Sequence, residues 1–389
     1  MTKKLILVML VCNSLVYAQW PQWRGPMRDG VSLETNLLKS WPAEGPKLLW
    51  SCDTIGDGYA SAIIQDQIVY VTGGVEKVPM MTALDLSGNM IWECKIGEST
   101  EDSTENSTPT LYQDKLYTLT CPGALVCVDA KTGMVVWTVN IPEKFGVKSH
   151  YCESPLVVDD KVIVSPFGEN TSIVALNRTT GETLWQFDSP DDGTSFVSPI
   201  LMQGTHKKII VTNGKKHVYA LDLATGNMIW QGDISTTSHI PVPYQHQVYI
   251  PSCMMLKIEP DENRVDTLWQ EPLELCNFGG AVKLGNRIFA TYEKRSGLVC
   301  LDWDTGKQVA LNRTIKSANL VVADGMLYSY EDKSGRVSLL KPMDDTIEVV
   351  SSFRIKEGVG RHLAHMAIGH GILFIRRGGI LMAYDIKQS

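Results

Sequence analysis

An all-β fold, an eight-bladed β-propeller of four-stranded blades, is what this 389-residue sequence predicts. The first observation behind it is a repeated phrase. Ala220-Leu221-Asp222 ends one apolar run, Thr225-Gly226 turns the chain, and Met228-Ile229-Trp230 opens a second run. Copies read from Ala83-Leu84-Asp85 to Trp92, from Val126 through Asp129 to Trp137, and from Ala175 through Asn177 to Trp185. Weaker copies run from Leu256 to Trp269, from Val299 to Val309 and from Val337 to Val349. The second observation is the period: Trp92, Trp137, Trp185, Trp230 and Trp269 follow one another at roughly 40 to 48 residues, the length of a four-stranded blade. The third is a split copy. Met382-Ala383-Tyr384-Asp385 is a first half lacking its second, and Lys47-Leu48-Leu49-Trp50 is a second half lacking its first. Joined, they complete an eighth unit, and the N-terminal strand around Trp50 closes the ring and removes two free sheet edges.

Taken in order, residues 1–18 have the form of a secretory signal. Lys3 and Lys4 precede an apolar run from Leu5 to Val11, and Val16-Tyr17-Ala18 offers a small-residue site with the cut after Ala18. The run is too short for a stable membrane anchor, so the expected location is periplasmic or secreted. Residues 19–47 are rich in Trp and Pro and have no period of 2 or 3.6. They are expected to lie as an extended segment across the propeller with their aromatics packed down. The propeller occupies 48–389. In its second unit the expected strands are 108–112, 115–120, 124–128 and 134–139, turned at Gln113-Asp114, Pro122-Gly123 and Lys131-Thr132-Gly133. Trp50, Trp92, Trp137, Trp185, Trp230 and Trp269 would then sit in outer strands and wedge between blades.

Composition excludes some partners. A net charge of -7, which becomes more acidic once Lys3 and Lys4 depart, argues against nucleic acid or an anionic membrane. No other stretch has the length and apolarity to cross a bilayer, and a closed ring is expected to be a monomer. Eight of the nine cysteines lie beyond the leader, and none forms a C-x-x-C pair. Cys121 and Cys127 flank the Pro122-Gly123 turn, either as a disulfide or as small buried hydrophobes.

The Ala-x-Asp-x-x-Thr-Gly-x-x-x-Trp phrase resembles the tryptophan-docking repeat of the pyrroloquinoline quinone (PQQ) enzyme propellers. It is similar also to that of the propeller lipoprotein in the outer-membrane β-barrel assembly machinery. Trp20-Pro21-Gln22-Trp23-Arg24-Gly25-Pro26 with Gly30-Val31-Ser32 resembles the opening of a group of secreted bacterial PQQ-like propeller proteins. The repeat resemblance spans 48–389 and speaks to architecture. In the resembling enzymes the quinone sits over the channel with calcium, and a carboxylate serves as base. This chain lacks their long insertions, the adjacent cysteine pair of some of them, and a haem attachment site.

Chemistry is expected where inner strands begin, at one mouth of the channel. Reading the units in register brings Tyr59, Ser107, Glu153, His239 and His365 towards the axis, with His150, Asn277, Arg361 and His362 on adjoining loops. Such a set would bind a small polar ligand or, through Glu153 and Asn277, a hard cation. The competing reading is that these groups satisfy backbone partners in a water-filled channel. Glu153 is the strongest single candidate, because an acid beside Ser154-Pro155 has no evident role in the turn. His362 and His365, three apart, fall on opposite strand faces, which disfavours a shared metal. Gly-x-Ser-x-Gly, phosphate-loop and His-Glu-x-x-His signatures are absent. Two functions remain. One is a binding or scaffolding protein of the bacterial cell envelope, with an envelope protein partner or small polar ligand and no cofactor. The other is a PQQ-dependent dehydrogenase oxidising an alcohol or sugar with PQQ and calcium.

Overall fold

The structure is a computed structural model that describes residues 19–99, 105–146, 150–168, 171–189, 192–193, 197–234, 240–251, 254–270, 280–292 and 297–388. Its strands form eight antiparallel blades, each running from an inner to an outer strand. Blades 1 to 7 cover residues 63–95, 110–140, 156–187, 200–233, 242–270, 282–312 and 318–354. Blade 8 takes three strands from 367–385 and its outer strand, Lys47–Cys52, from the other end of the chain. Lys47 lies opposite Asp385 and Trp50 opposite Ala383, so the ring closes as the split phrase predicts. The second unit's strands are Thr110–Tyr112, Lys115–Leu119, Ala124–Asp129 and Val135–Asn140, within two residues of the expected bounds.

The repeated phrase works as a clasp. Asp222 accepts hydrogen bonds on Oδ1 from the N–H groups of Ala224 and Thr225 and from the Thr225 hydroxyl, which fixes the turn between third and fourth strands. That turn brings Gly226 to φ +75°, and a Cβ there would lie 2.5 Å from the Trp185 ring of the preceding blade. Only glycine therefore accepts both the left-handed backbone and the indole face. The Trp185 Nε1–H donates to Leu223 O at 3.0 Å, locking the two blades. Trp50, Trp92, Trp137 and Trp269 make the same bond to Leu86, Ala130, Arg178 and Trp303 of the next blade. Trp230 packs against the cluster shared by blades 4 and 5, where a 3-10 turn at Pro260–Glu262 replaces Thr-Gly.

Two joints differ from the sequence reading. A bulge shifts each third-to-fourth strand pairing by a residue, and the positions that correspond to Trp230 are Ala310, opposite Cys300 in blade 6, and Ser351, opposite Leu339 in blade 7, rather than Val309 and Val349. Neither supplies an indole. At blade 7 the N-terminal segment does so. Trp41 N–H donates to Ser351 Oγ at 2.8 Å, and its ring packs on Tyr328 and Phe353, both at 5.7 Å between centroids.

The remainder of that segment enters the channel mouth where inner strands end. Trp20 bridges to Ile64 of blade 1, Pro21 O accepts from Leu111 N of blade 2, and Val31–Ser32 pairs in parallel with Ala318–Ala323 of blade 7. Residues 20–32 thus plug one end of the ring instead of only lying across it. Of the two readings of Cys121 and Cys127, the disulfide is excluded and the small buried hydrophobe holds, since Cys127 carries a free buried thiol. Cys127 stands opposite Tyr117 while Leu125 stands opposite Leu119, so Cys127 is about 13 Å along the hairpin from the level of Cys121. A disulfide spans Cα atoms no more than about 7 Å apart.

Candidate functional site

The loops before the inner strands form a belt of hydrogen bonds around the channel. Ser61 N donates to Thr108 Oγ1 at 2.8 Å, Ser154 Oγ donates to Thr108 O at 2.6 Å, and Ser154 N donates to Ser198 Oγ at 2.8 Å. Thr108, Ser154 and Ser198 each precede a proline, which removes a competing N–H and holds the strand start extended. Four blades are linked in this way, which accounts for Thr108-Pro109, Ser154-Pro155 and Ser198-Pro199.

Within this belt Ser107 and Glu153 occupy equivalent positions of neighbouring blades. Ser107 Oγ accepts from Leu119 N at 3.4 Å, and Glu153 Oε1 accepts from Ser165 N at 2.6 Å, each closing the end of its own blade's second strand. Glu153 is only 3% exposed, its Oε2 has no partner among the described residues, and burial pushes its carboxyl up to about 8 against the pull of Arg28. Glu105 holds Cys121 N in a related manner and is pushed up to about 7. Tyr59 is half-buried, with its N–H on Glu105 O and its hydroxyl beside Gly360. His365 meets the edge of Trp23 at 5.3 Å. Arg361 pairs with Asp332 at 2.8 Å, and His362 contacts the Tyr330 hydroxyl at 2.6 Å, burial pulling this imidazole down to about 4. Of the remaining expected residues, His150 lies 3.4 Å from Cys121 Sγ, and His239 and Asn277 fall outside the described residues.

Three buried arginines were not singled out by sequence. Arg28 donates to Thr110 Oγ1, Ser154 O, Pro155 O and Pro199 O, tying the plug to blades 2, 3 and 4. Arg24 donates to Ala281 O ahead of blade 6. Arg376, inside blade 8, donates to Gly56 O, Ala60 O and Thr72 O of blade 1 at 2.9, 3.0 and 2.6 Å. A cation within the apolar run Ile372–Arg377 is the sequence signal that could have revealed it. Beneath the plug, the strand-end mouth opens as an apolar funnel of about 1130 Å³.

Residues 32–148 and 80–245 match the PQQ_2 family, described as outer membrane protein assembly factor BamB, and together these spans exceed half of the chain. The chain belongs to this family. It is 22% identical over 328 residues to an uncharacterized protein of Rickettsia conorii, covering 71% of this chain and 75% of the relative. Its fold is similar to BamB from Moraxella catarrhalis, with a TM-score of 0.66 at 17% identity, covering 88% of this chain and 98% of the other. It is similar also to the quinohemoprotein alcohol dehydrogenase of Comamonas testosteroni, with a TM-score of 0.71 at 13% identity, covering 96% and 81%.

The fold's similarity to a quinohemoprotein alcohol dehydrogenase raises the question of a quinone held with calcium. Calcium takes about six to eight oxygen ligands. Among the described residues no group of three or more His, Cys, Asp or Glu is placed to hold a metal ion. Glu153 already spends one oxygen on Ser165 N, and its burial favours the protonated form, the reverse of what a cation ligand needs. The described residues do not fit that pair, and no step is routed through it.

Proposed function

We propose that this protein is an exported binding and scaffolding propeller of the bacterial cell envelope, holding a protein partner on the outer edges of its blades. The observation that carries the reading is an apolar rim. Each outer strand has a single strand neighbour, leaving its second edge of N–H and C=O groups unpaired within the described sheets. On blades 8, 1 and 2 that edge carries Leu48, Leu49, Met90, Ile91, Val135 and Val136, exposed by 38 to 49%. Soluble proteins usually blunt such edges with charge or proline, and contiguous exposed apolar side chains mark interaction surfaces. An extended partner segment would add as a further strand, with backbone bonds giving affinity and alternate side chains giving choice. The family description, an assembly factor for outer membrane proteins, supports the same reading.

The test places a photoreactive side chain at Val136 and, as a control, at Met343, which is 47% exposed on blade 7. The expected result is a crosslink from Val136 to one envelope protein, lost when Ile91→Lys is added and absent from Met343. N-terminal sequencing of the exported form should begin at Gln19. Stoichiometric binding of PQQ with calcium, and dye reduction with alcohols or sugars that Glu153→Gln abolishes, would overturn the scaffold in favour of a dehydrogenase.

A further inference from the structure

We propose that the funnel at the strand-end mouth binds one long-chain carboxylate, its alkyl chain in the funnel and its head group on Lys283. The funnel lies between the plug and the ends of the inner strands, and its volume of about 1130 Å³ exceeds the roughly 300–1,000 Å³ usual for small-molecule sites. Its walls include Leu111, Val157, Leu201, Met202 and Leu284. At its rim Met27 and Leu33 stand 64% and 71% exposed, an arrangement that water alone disfavours.

The charged groups on this lining are Arg28, Asp29 and Lys283. Arg28 is consumed by carbonyls of the loops before the inner strands, and Asp29 accepts from Val31 N with the Arg24 charge beside it. Lys283 forms no ion pair among the described residues. Its ammonium sits 3.5 Å from the Tyr244 ring centroid and 5.0 Å from that of Trp303, and donates to Gly285 O at 2.6 Å. A lysine carries three donors, so two remain for an incoming head group. One point cation beside an aliphatic well is the complement of a single-chain anion. A peptide would bring N–H and C=O groups that aliphatic walls leave unsatisfied, and an alkyl chain brings none.

The experiment titrates the protein spanning 19–389 with oleate and with oleyl alcohol, below micelle formation, by calorimetry. The alcohol has the same chain without the charge. Saturable oleate binding at one per chain is expected. Lys283→Glu should weaken oleate by about tenfold or more and change oleyl alcohol by less than about twofold. Leu33→Asp, at an exposed site that leaves folding unaffected, should weaken both. Absence of saturable oleate binding, or oleate binding that Lys283→Glu leaves unchanged, overturns the proposal. Displacement of oleate by an apolar peptide that binds equally well to Lys283→Glu would assign the funnel to protein segments instead. The blade edges and the funnel are separate surfaces, so failure of the partner crosslink leaves this result unaffected.

Discussion

Arg28→Met should loosen the whole ring although it alters no blade. The guanidinium is 1% exposed and reaches three blades at once, with Ser154 O and Pro199 O at 3.0 Å and Thr110 Oγ1 at 3.1 Å. Methionine fills much of the same space and donates nothing. A buried acceptor stripped of its donor costs about 1–3 kcal/mol, and deleting one member of a buried charged network costs about 3–5 kcal/mol. We take about 3–5 kcal/mol for the substitution, because the carbonyls of Ser154 and Pro199 both lose this donor. Unfolding entropy of about 2.1 cal/mol/K per residue converts that loss to a fall of about 4–6 °C in melting temperature for a chain of this size. Arg28→Lys should fall between wild type and Arg28→Met, since one ammonium cannot span acceptors on three blades. Differential scanning calorimetry reads both. A melting temperature within about 1 °C of wild type for Arg28→Met would refute the idea that the plug ties the blades together.

Two further expectations concern the belt and the clasp. Burial raises Glu153 from 4.5 to about 8, so between those values the folded protein keeps a proton that the unfolded chain releases, and stability falls as pH rises through the window. Glu153→Gln keeps the acceptor for Ser165 N and removes the titration. It should be more stable than wild type at about pH 9 and converge with it at about pH 4, as read by denaturant midpoints; a pH-independent difference would contradict this. Trp137→Ala and Trp41→Ala should each cost about 3–5 kcal/mol, the latter because the N-terminal segment supplies the indole that Ser351 lacks. If Trp41→Ala unfolds at the wild-type denaturant concentration, the segment is not completing that joint.

Architecture was legible because the residues that build it are local. Asp222, Gly226 and Trp230 set a turn and a docking surface within nine positions, and the same spacing recurs along the chain. The unmatched halves at Trp50 and Asp385 gave the closure for the same reason. The site was less legible. Glu153 looked unexplained by its turn, because its partner, Ser165 N, lies just past the end of its blade's second strand. The copies read to Val309 and Val349 end short of the docking positions: Ala310 follows Gly306 by the same four residues that separate Trp230 from Gly226, and blade 7 has no Thr-Gly from which to count to Ser351. Arg28 could not be assigned at all, since its acceptors stand 82 to 171 residues away and become neighbours only after the ring forms. The strand-end funnel is invisible for that reason too: no single unit contains it.

The claim on which the fold rests is that the two ends of the chain share one sheet. Lys47→Cys combined with Asp385→Cys places thiols at directly opposed positions, within the Cα range of about 4.4–6.8 Å that a disulfide spans. Mild oxidation of the folded protein should join peptides containing 47 and 385, detected by mass spectrometry. The melting temperature should rise, because the bond closes a loop of more than 300 residues. Two fully alkylatable thiols and no crosslink, in a protein that remains folded, would contradict closure by the strand around Trp50.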